Sequence, residues 1–424
     1  MENMAWERAS RARNTAMHLQ RLVLPLNGVI WNSSNREGRV SEQPNWLFVA
    51  ICFGVPFLTF LIGLAQLHVA KTPHYFVTNY MVSYTDGFVR RGLLGTCFLA
   101  LSDFSRLSPD FWISAFRIVV GGAFLATMAN LIFARREQLG WIGCLLILTN
   151  PMIMAPGWST FGSIESLFLL LIPLHLYMTK RFEGSRYLLF WVPTIIYFGS
   201  LLAFCHEGFL FLALPVHIVL TAEKFGWKAW KRWLWIYLPV AVSCSLGFLY
   251  PGTRSQADAI RTIWQAHGMP IPFVSVITYF GYPTLLLLKY NLGLMSVQSL
   301  GLIVISWGIS FAPILWLARH LSPLPKGSTK LLGYLVLINL PLFLFANDWA
   351  RWISLPVASC ALIGLFKNEY RLDSSLSKRH VTIGVSLIVG AMLVVPASMH
   401  DTVRTTTYGL LEAGFAALHK SLHL

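Results

Sequence analysis

A succession of apolar segments, each close to the length of a membrane-spanning helix, constrains the fold of this chain more than any other feature. A helix needs about 20 mostly apolar residues to cross the hydrocarbon layer. Only 12% of the residues are charged, against about 25% in soluble domains. We therefore predict an all-α, polytopic transmembrane helical bundle with about 10–11 spanning helices and no soluble domain of any size. The candidate spans are 46–68, 111–134, 139–156, 160–179, 186–205, 207–222, 232–250, 299–319, 331–347, 352–367 and 380–397.

The segments between the apolar runs define the predicted domain organisation. Two of the outer loops are long, at about 69–110 and 251–298. Within them, 92–101 and 283–288 are apolar but too short to span, so we expect interfacial or re-entrant helices there. The predicted parts are a cytoplasmic N-terminal segment, 1–45; a transmembrane domain, 46–397; and a C-terminal tail on the outer side, 398–424.

The distribution of Lys and Arg predicts the orientation. With the N-terminus inside, 22 of these residues fall in cytoplasmic segments and 10 in outer segments, and Arg117 lies inside a span. Cytoplasmic loops of membrane proteins carry such an excess of positive charge. We expect an integral protein of the bacterial cytoplasmic (inner) membrane with a cytoplasmic N-terminus.

The net charge of +15 and the six cysteines exclude two other classes of protein. The basic residues lie in short clusters between apolar runs, which indicates contact with an anionic membrane surface. They do not form a patch with interleaved aromatic residues, so no nucleic-acid partner is expected. The cysteines are scattered and show no CxxC spacing, which supports neither a zinc site nor a disulfide framework.

Ionisable residues in or beside the apolar spans indicate where the function lies, because such residues are costly in a bilayer and are often functional. In the topology drawn from Lys and Arg alone, these residues gather on the outer side. The sequence therefore predicts a single outward-facing site. Its candidates are Asp86, Arg90 and Arg91 in TDGFVRRGLLG, Glu165 in the span 160–179, His206 and Glu207 between two spans, and Asp348 and Arg351 in NDWARW.

These residue types suit chemistry on a phosphorylated lipid. A carboxylate can act as a general base towards a hydroxyl acceptor, and arginines bind phosphate through two parallel hydrogen bonds. We expect catalytic roles for Asp86, Glu165 and Glu207. Structural roles stay open for each residue, as local ion pairs, interfacial side chains or contacts between helices. The expected ligands of the substrate or lipid phosphate are Arg90, Arg91, His206, Asp348 and Arg351.

The long first outer loop with its acidic residue resembles that of the GT-C class of lipid-carrier-dependent glycosyltransferases. In that class the loop supplies a catalytic Asp, a role that would fall to Asp86 here. DGFVRRG, the outer HE pair and DWARW are also similar to elements of bacterial membrane proteins from polysaccharide-assembly loci. The resemblance implies a polyprenyl-phosphate-linked sugar donor used at the outer face. GT-C loops often carry a DxD or ExD pair, whereas Asp86 stands alone, so the cofactor is unknown and a need for a divalent metal is unsupported.

Four alternatives stay open at this point, and one of them, an acyltransferase, rests on His206 alone. Polymerases of the O-antigen type join lipid-linked repeats at the same face and are the nearest alternative enzyme. A transporter or flippase would move a lipid-linked or polar solute. A non-catalytic subunit would instead support an envelope polysaccharide assembly complex. The expected partners are accordingly membrane lipid, a polyprenyl-linked saccharide and envelope assembly proteins.

Overall fold

Every regular element in the described part of the chain is a helix, as the apolar pattern predicts. The predicted segments 1–45 and 398–424 lie outside the described residues, as do Asp348 and most of 283–288 and 331–347. Within the described ranges there is no strand. The computed structural model describes residues 46–68, 75–154, 161–226, 228, 230–272, 275–282, 286, 289, 293, 297–320, 333–335, 337–339, 349–367 and 377–393.

Sixteen helices follow one another along the described residues. Those of the first half are α1 (Trp46–Val49, the π-helical turn Ala50–Gly54 and Val55–His68), α2 (Tyr75–Thr78), α3 (Gly92–Ser105), α4 (Pro109–Ala134), α5 (Arg136–Leu148), α6 (Pro151–Met154), α7 (Ile164–Arg181) and α8 (Gly184–Thr194, the π-helical turn Ile195–Gly199 and Ser200–Cys205). Those of the second half are α9 (Phe209–Leu212), α10 (Leu214–Phe225), α11 (Trp230–Leu249), α12 (Arg254–Ala266), the 3-10 helix α13 (Val276–Tyr279), α14 (Val297–His320), α15 (Trp349–Lys367) and α16 (Lys378–Leu393).

Three of the described helices are long and apolar enough to cross a membrane: Trp46–Ala65 of α1, all of α4, and Gly184–Cys205 of α8. A fourth crossing results if α11 and α12 are counted as one span, although their axes differ by 96°. Helix α3 has 14 residues, which makes it about 21 Å long at 1.5 Å per residue. It is therefore shorter than the hydrocarbon layer of about 30 Å.

The prediction of one continuous helix over 139–156 is wrong. Helix α5 contains a non-helical residue, Gly140 (φ 60°, ψ 173°), and ends at Leu148. The Asn150 side chain then accepts hydrogen bonds from the backbone N–H groups of Met152 and Ile153, at 2.8 and 3.2 Å. Because a side-chain oxygen in this position satisfies the free N–H groups of a helix start, the chain begins a separate helix, α6.

Helix α7 begins at Ile164, four residues later than the predicted start at residue 160. The delay has a local cause, since Gly162 adopts a φ of +64° that ordinary helical residues avoid. Gly162 also lies against the backbone of Arg117, so closely that a Cβ there would be 2.2 Å from the Arg117 carbonyl oxygen. Glu165 is consequently in the first turn of α7, where the helix dipole favours a negative charge.

Helix α12, at the start of the predicted second outer loop, has polar and apolar residues on opposite faces. Thr253 and Gln256 form a capping box at its start, which satisfies free backbone N–H groups there. At its other end His267 Nε2 lies 3.0 Å from Asp103 Oδ1 of α3. The hydrogen bond to Asp103 raises the pKa of His267 above its ordinary value. The contact with Asp103 holds the end of α12 against α3.

Candidate functional site

Glu207 is the centre of an ion-pair cluster that joins two distant parts of the chain. It lies in the turn between α8 and α9, and its side chain is only 6% exposed. Arg91, just before α3, donates from Nη2 to Oε1 at 2.6 Å and from Nε to Oε2 at 2.8 Å. Arg90 Nη1 lies 3.7 Å from the same Oε1. Two parallel bonds between a guanidinium and a carboxylate form one of the stronger side-chain interactions in proteins.

The backbone at Arg91 is strained, and its guanidinium is held by hydrogen bonds. Its φ of 64° and ψ of 7° are in the left-handed region, which costs a non-glycine residue about 1–2 kcal/mol. Arg91 Nη1 donates a further hydrogen bond to Asn79 Oδ1 at 2.9 Å. We call Asn79, Arg90, Arg91 and Glu207 the Glu207 cluster. Glu207 and Asn79 occupy its guanidinium, so Arg91 ties the loop before α3 to the turn after α8. Its role as a phosphate ligand stays a prediction.

The residue before Glu207 forms a second buried pair. His206 Nε2 lies 3.6 Å from Glu165 Oε1, and the two side chains are 2% and 4% exposed. The backbone N–H of Gly208 donates to His206 Nδ1 at 2.9 Å. A ring nitrogen that accepts a hydrogen bond carries no proton, so the neutral imidazole has its proton on Nε2 and directs it towards Glu165. A Cβ at Gly208 would lie 2.8 Å from Nδ1, so this close approach requires glycine.

Aromatic rings surround the Glu165–His206 pair. The ring of Phe168, one turn after Glu165, is 6.2 Å from the His206 ring. Trp352 of α15 lies 6.4 Å from it on another side. The first turn of α15 therefore reaches the same region. Asp348 and the side chain of Arg351 lie outside the described residues.

The segment before Glu165 makes two further polar contacts through its backbone. Tyr80 Oη donates to the carbonyl oxygen of Gly162 at 2.6 Å, and Arg117 Nε donates to that of Phe161 at 3.1 Å. Tyr80 follows Asn79 of the Glu207 cluster directly. The segment that contains Tyr80, the residues just before α7 and helix α4 are thus connected by hydrogen bonds at one place.

Asp86 is positioned differently from the other predicted residues. It is exposed, and its carboxylate forms no ion pair with any residue that the structure describes. Its backbone carbonyl accepts a hydrogen bond from Gln256 Nε2 of α12 at 2.9 Å. Nearby, burial raises the pKa of Tyr84 to about 12, so this phenol stays protonated at neutral pH. The catalytic role of Asp86 stays a prediction.

Sequence reasoning missed a second buried polar group, which we call the His175 network. His175 of α7 and His217 of α10 are fully buried, and their Nδ1 atoms are 3.1 Å apart. His175 Nε2 is hydrogen-bonded to Tyr187 Oη at 2.6 Å, and the His175 ring stacks on Trp191 at 3.7 Å. A signal was present in the sequence, since both histidines follow a proline by two residues in apolar runs, as PLH and PVH.

Hydrogen bonds continue from this histidine pair around the whole network. Thr221 is hydrogen-bonded to the hydroxyls of both Tyr187 and Tyr237. Tyr237 Oη accepts from Trp191 Nε1 at 3.2 Å and donates to the backbone carbonyl of His217 at 2.9 Å. The buried Nε2 of His217 has no hydrogen-bond partner among the described residues. A neutral His217 that carries its proton on Nδ1 satisfies this arrangement, since it leaves an acceptor rather than a donor unpaired.

The described residues include no group of three or more His, Cys, Asp or Glu side chains placed to hold a metal ion. Comparisons with protein-family models, with curated proteins and with solved structures found no match for this chain.

Proposed function

We propose that this protein is an integral-membrane glycosyltransferase, or a related polysaccharide polymerase, that uses a polyprenyl-phosphate-linked sugar donor at the outer face of the cytoplasmic membrane. The observation that carries the proposal is the position of the Glu165–His206 pair directly beside the Glu207 cluster. Residues of three distant segments meet there: the first turn of α7, the turn after α8 and the residues just before α3. The Lys and Arg distribution assigns all three segments to the outer side.

The chemistry of the pair suits activation of a hydroxyl group. Glu165 would accept the proton of an acceptor hydroxyl, whose oxygen then attacks the anomeric carbon of the donor sugar. The bond between that carbon and the phosphate oxygen breaks, and the lipid phosphate leaves with the electron pair. His206 Nε2 lies 3.6 Å from Glu165 Oε1, which is a close polar contact but longer than a hydrogen bond. The low exposure of both side chains would keep water from competing as acceptor.

The proposed enzyme is a polytopic bundle with about 10–11 spans, an N-terminus in the cytoplasm and a C-terminal tail outside. Besides the three or four helices named above, α7, α14 and α15 support this proposal, with 18, 24 and 19 residues. Proline lies inside each of these three helices. In a membrane, neighbouring helices can satisfy the backbone groups that a proline releases.

Replacement of Glu165 by Gln tests this function. In cells that depend on this chain, Glu165→Gln should lower the amount of surface polysaccharide by a factor of about 100 or more, since a general base contributes about 10²–10⁴-fold. The matched control is Glu137→Gln, because Glu137 is 82% exposed and pairs only loosely with Arg136, at 3.6 Å. Normal polysaccharide from a folded Glu165→Gln protein would contradict the role of Glu165. Asp86→Asn, assayed in parallel, tests the prediction from the GT-C resemblance.

The His175 network favours a transporter as the second candidate function. His175 lies ten residues after Glu165 on α7, about 15 Å further along the helix axis. A transporter needs polar groups at more than one depth, and buried polar residues within a membrane often belong to such pathways. Under this alternative, His175→Asn would block movement of a lipid-linked or polar solute. Under the enzyme proposal, it would leave sugar transfer by the folded protein unchanged.

A further inference from the structure

Arg117 is a charged residue in α4, one of the three described helices long and apolar enough to span a membrane. It lies eight residues after the start of α4, about 12 Å along the helix axis. The neighbouring residues in FRIVVGG are apolar or small. An arginine at such a position is costly unless it is paired or has a function.

The structure holds the Arg117 side chain by one nitrogen and leaves the other two available. Nε donates to the carbonyl oxygen of Phe161 at 3.1 Å, which fixes the plane of the guanidinium. The two terminal nitrogens form no hydrogen bond or ion pair with the part of the chain that the structure describes. The side chain is only partly buried, so this end of the guanidinium is accessible. Two parallel N–H groups in this arrangement match two oxygens of a phosphate.

The other arginines of the site are bound differently. The guanidinium of Arg91 is occupied by Glu207 and Asn79. Arg90 lies beside the same carboxylate and over the ring of Phe280, with 5.7 Å between its Cζ atom and the ring centre. A phosphate could bind Arg91 only by displacing a buried carboxylate, whereas at Arg117 it displaces no described partner.

We propose that Arg117 binds the phosphate group of the lipid carrier, an inference that rests on the proposed function of the same site. The backbone of Phe161 connects Arg117 to Glu165, four residues later. An extended chain of that length spans at most about 14 Å, so the Phe161 carbonyl that binds Arg117 and the backbone of Glu165 lie within that distance of each other. The hydroxyl of Tyr80, bound to the Gly162 carbonyl, holds the intervening segment in place.

Binding of lipids to the purified full chain in nanodiscs tests this assignment without an activity assay. The probes are a polyprenyl phosphate, the uncharged polyprenol of equal length, phosphatidylglycerol and inorganic pyrophosphate, and the readout is tryptophan fluorescence. Arg117→Gln should raise the Kd for the polyprenyl phosphate about tenfold or more, since bonds between charged groups are the strong ones. The Kd for the polyprenol should not change. Arg117→Lys keeps the charge and should weaken binding less than Arg117→Gln.

The matched control is Arg135→Gln at the opposite end of α4. Arg135 also donates to backbone carbonyls, at 3.0 Å to Leu365 and 3.3 Å to Phe366, so it reports the effect of losing a structural arginine. The Arg135→Gln variant should have the same Kd for polyprenyl phosphate as the wild type. Binding of pyrophosphate that depends on Arg117 would support the phosphate site without the lipid chain.

Two results would overturn the assignment. One is an equal Kd of wild type and a monodisperse Arg117→Gln protein for polyprenyl phosphate. The other is equally tight, Arg117-dependent binding of phosphatidylglycerol, which would make Arg117 a general lipid anchor. If either result accompanies loss of polysaccharide in Glu165→Gln, only the Arg117 assignment fails. If the carrier binds through Arg117 but Glu165→Gln makes normal product, the proposed function fails instead.

Discussion

Arg91→Gly is expected to lower the free energy of unfolding by about 2–4 kcal/mol, whereas Arg106→Gly should raise it by about 0.5–1 kcal/mol. Both arginines adopt a positive φ, 64° and 60°, so glycine relieves the same backbone strain at each. At Arg91 the substitution also leaves the buried Glu207 carboxylate without its main partner. Breaking such a buried pair costs about 3–5 kcal/mol, which outweighs the relief of about 1 kcal/mol.

Comparing the two variants isolates the contribution of the Arg91 side chain. Arg91 directly precedes α3 and is bound to Glu207, whereas Arg106 directly follows α3 and is exposed. Unfolding of the two variants and the wild type in the same detergent, followed by loss of helical circular dichroism, gives both changes. The free energy of unfolding should fall for Arg91→Gly and rise for Arg106→Gly. If both variants were stabilised, the ion pair with Glu207 would contribute too little to justify the strained backbone, and the Glu207 cluster would not hold the loop before α3 to the turn after α8.

Tyr237→Phe is the second substitution with a large expected effect, a loss of about 2–4 kcal/mol of stability. The hydroxyl of Tyr237 accepts from Trp191, donates to the backbone of His217 and is bonded to Thr221. All of these groups are buried. Removing this oxygen takes away the hydrogen-bond partner of Trp191 Nε1 and one bond each from Thr221 and from the His217 carbonyl. A buried polar group left unsatisfied costs about 1–3 kcal/mol.

The control for Tyr237→Phe is Tyr197→Phe on the neighbouring helix α8. Tyr197 is 70% exposed, and removal of an exposed hydroxyl should change stability by no more than about 0.5 kcal/mol. The same unfolding assay measures both. A small effect at Tyr237, equal to that at Tyr197, would mean that the His175 network contributes little to the fold and would remove the basis for its structural role.

The sequence predicted the helical class and the break at His206 and Glu207, because hydrophobic periodicity and costly polar residues are local signals. It also grouped Arg90, Arg91, Glu165, His206 and Glu207 at one face through the Lys and Arg distribution. It could not predict that Arg91 pairs with Glu207, 116 residues away. That pairing depends on how α3 packs against the end of α8, which no local pattern encodes.

The features that the sequence did not predict have equally specific causes. The break between α5 and α6 depends on the Asn150 side chain capping a new helix, a contact that hydropathy does not register. His175 and His217 are single histidines in apolar runs, and either one alone indicates a core residue. The one sequence feature that sets these two histidines apart from an ordinary core histidine is that each follows a proline, Pro173 or Pro215, by two residues. Arg117 was recognised as lying within a span, but its contact with Phe161 requires the three-dimensional structure.

Transfer of a radiolabelled sugar from a polyprenyl-linked donor by the purified full chain in proteoliposomes tests the central claim most directly. The wild type should transfer the sugar to an acceptor supplied at the outer face, and Glu137→Gln should match it. Glu165→Gln should be slower by a factor of about 100 or more. The contradicting result is no transfer by the wild type, together with movement of the intact lipid-linked sugar across the bilayer that depends on His175.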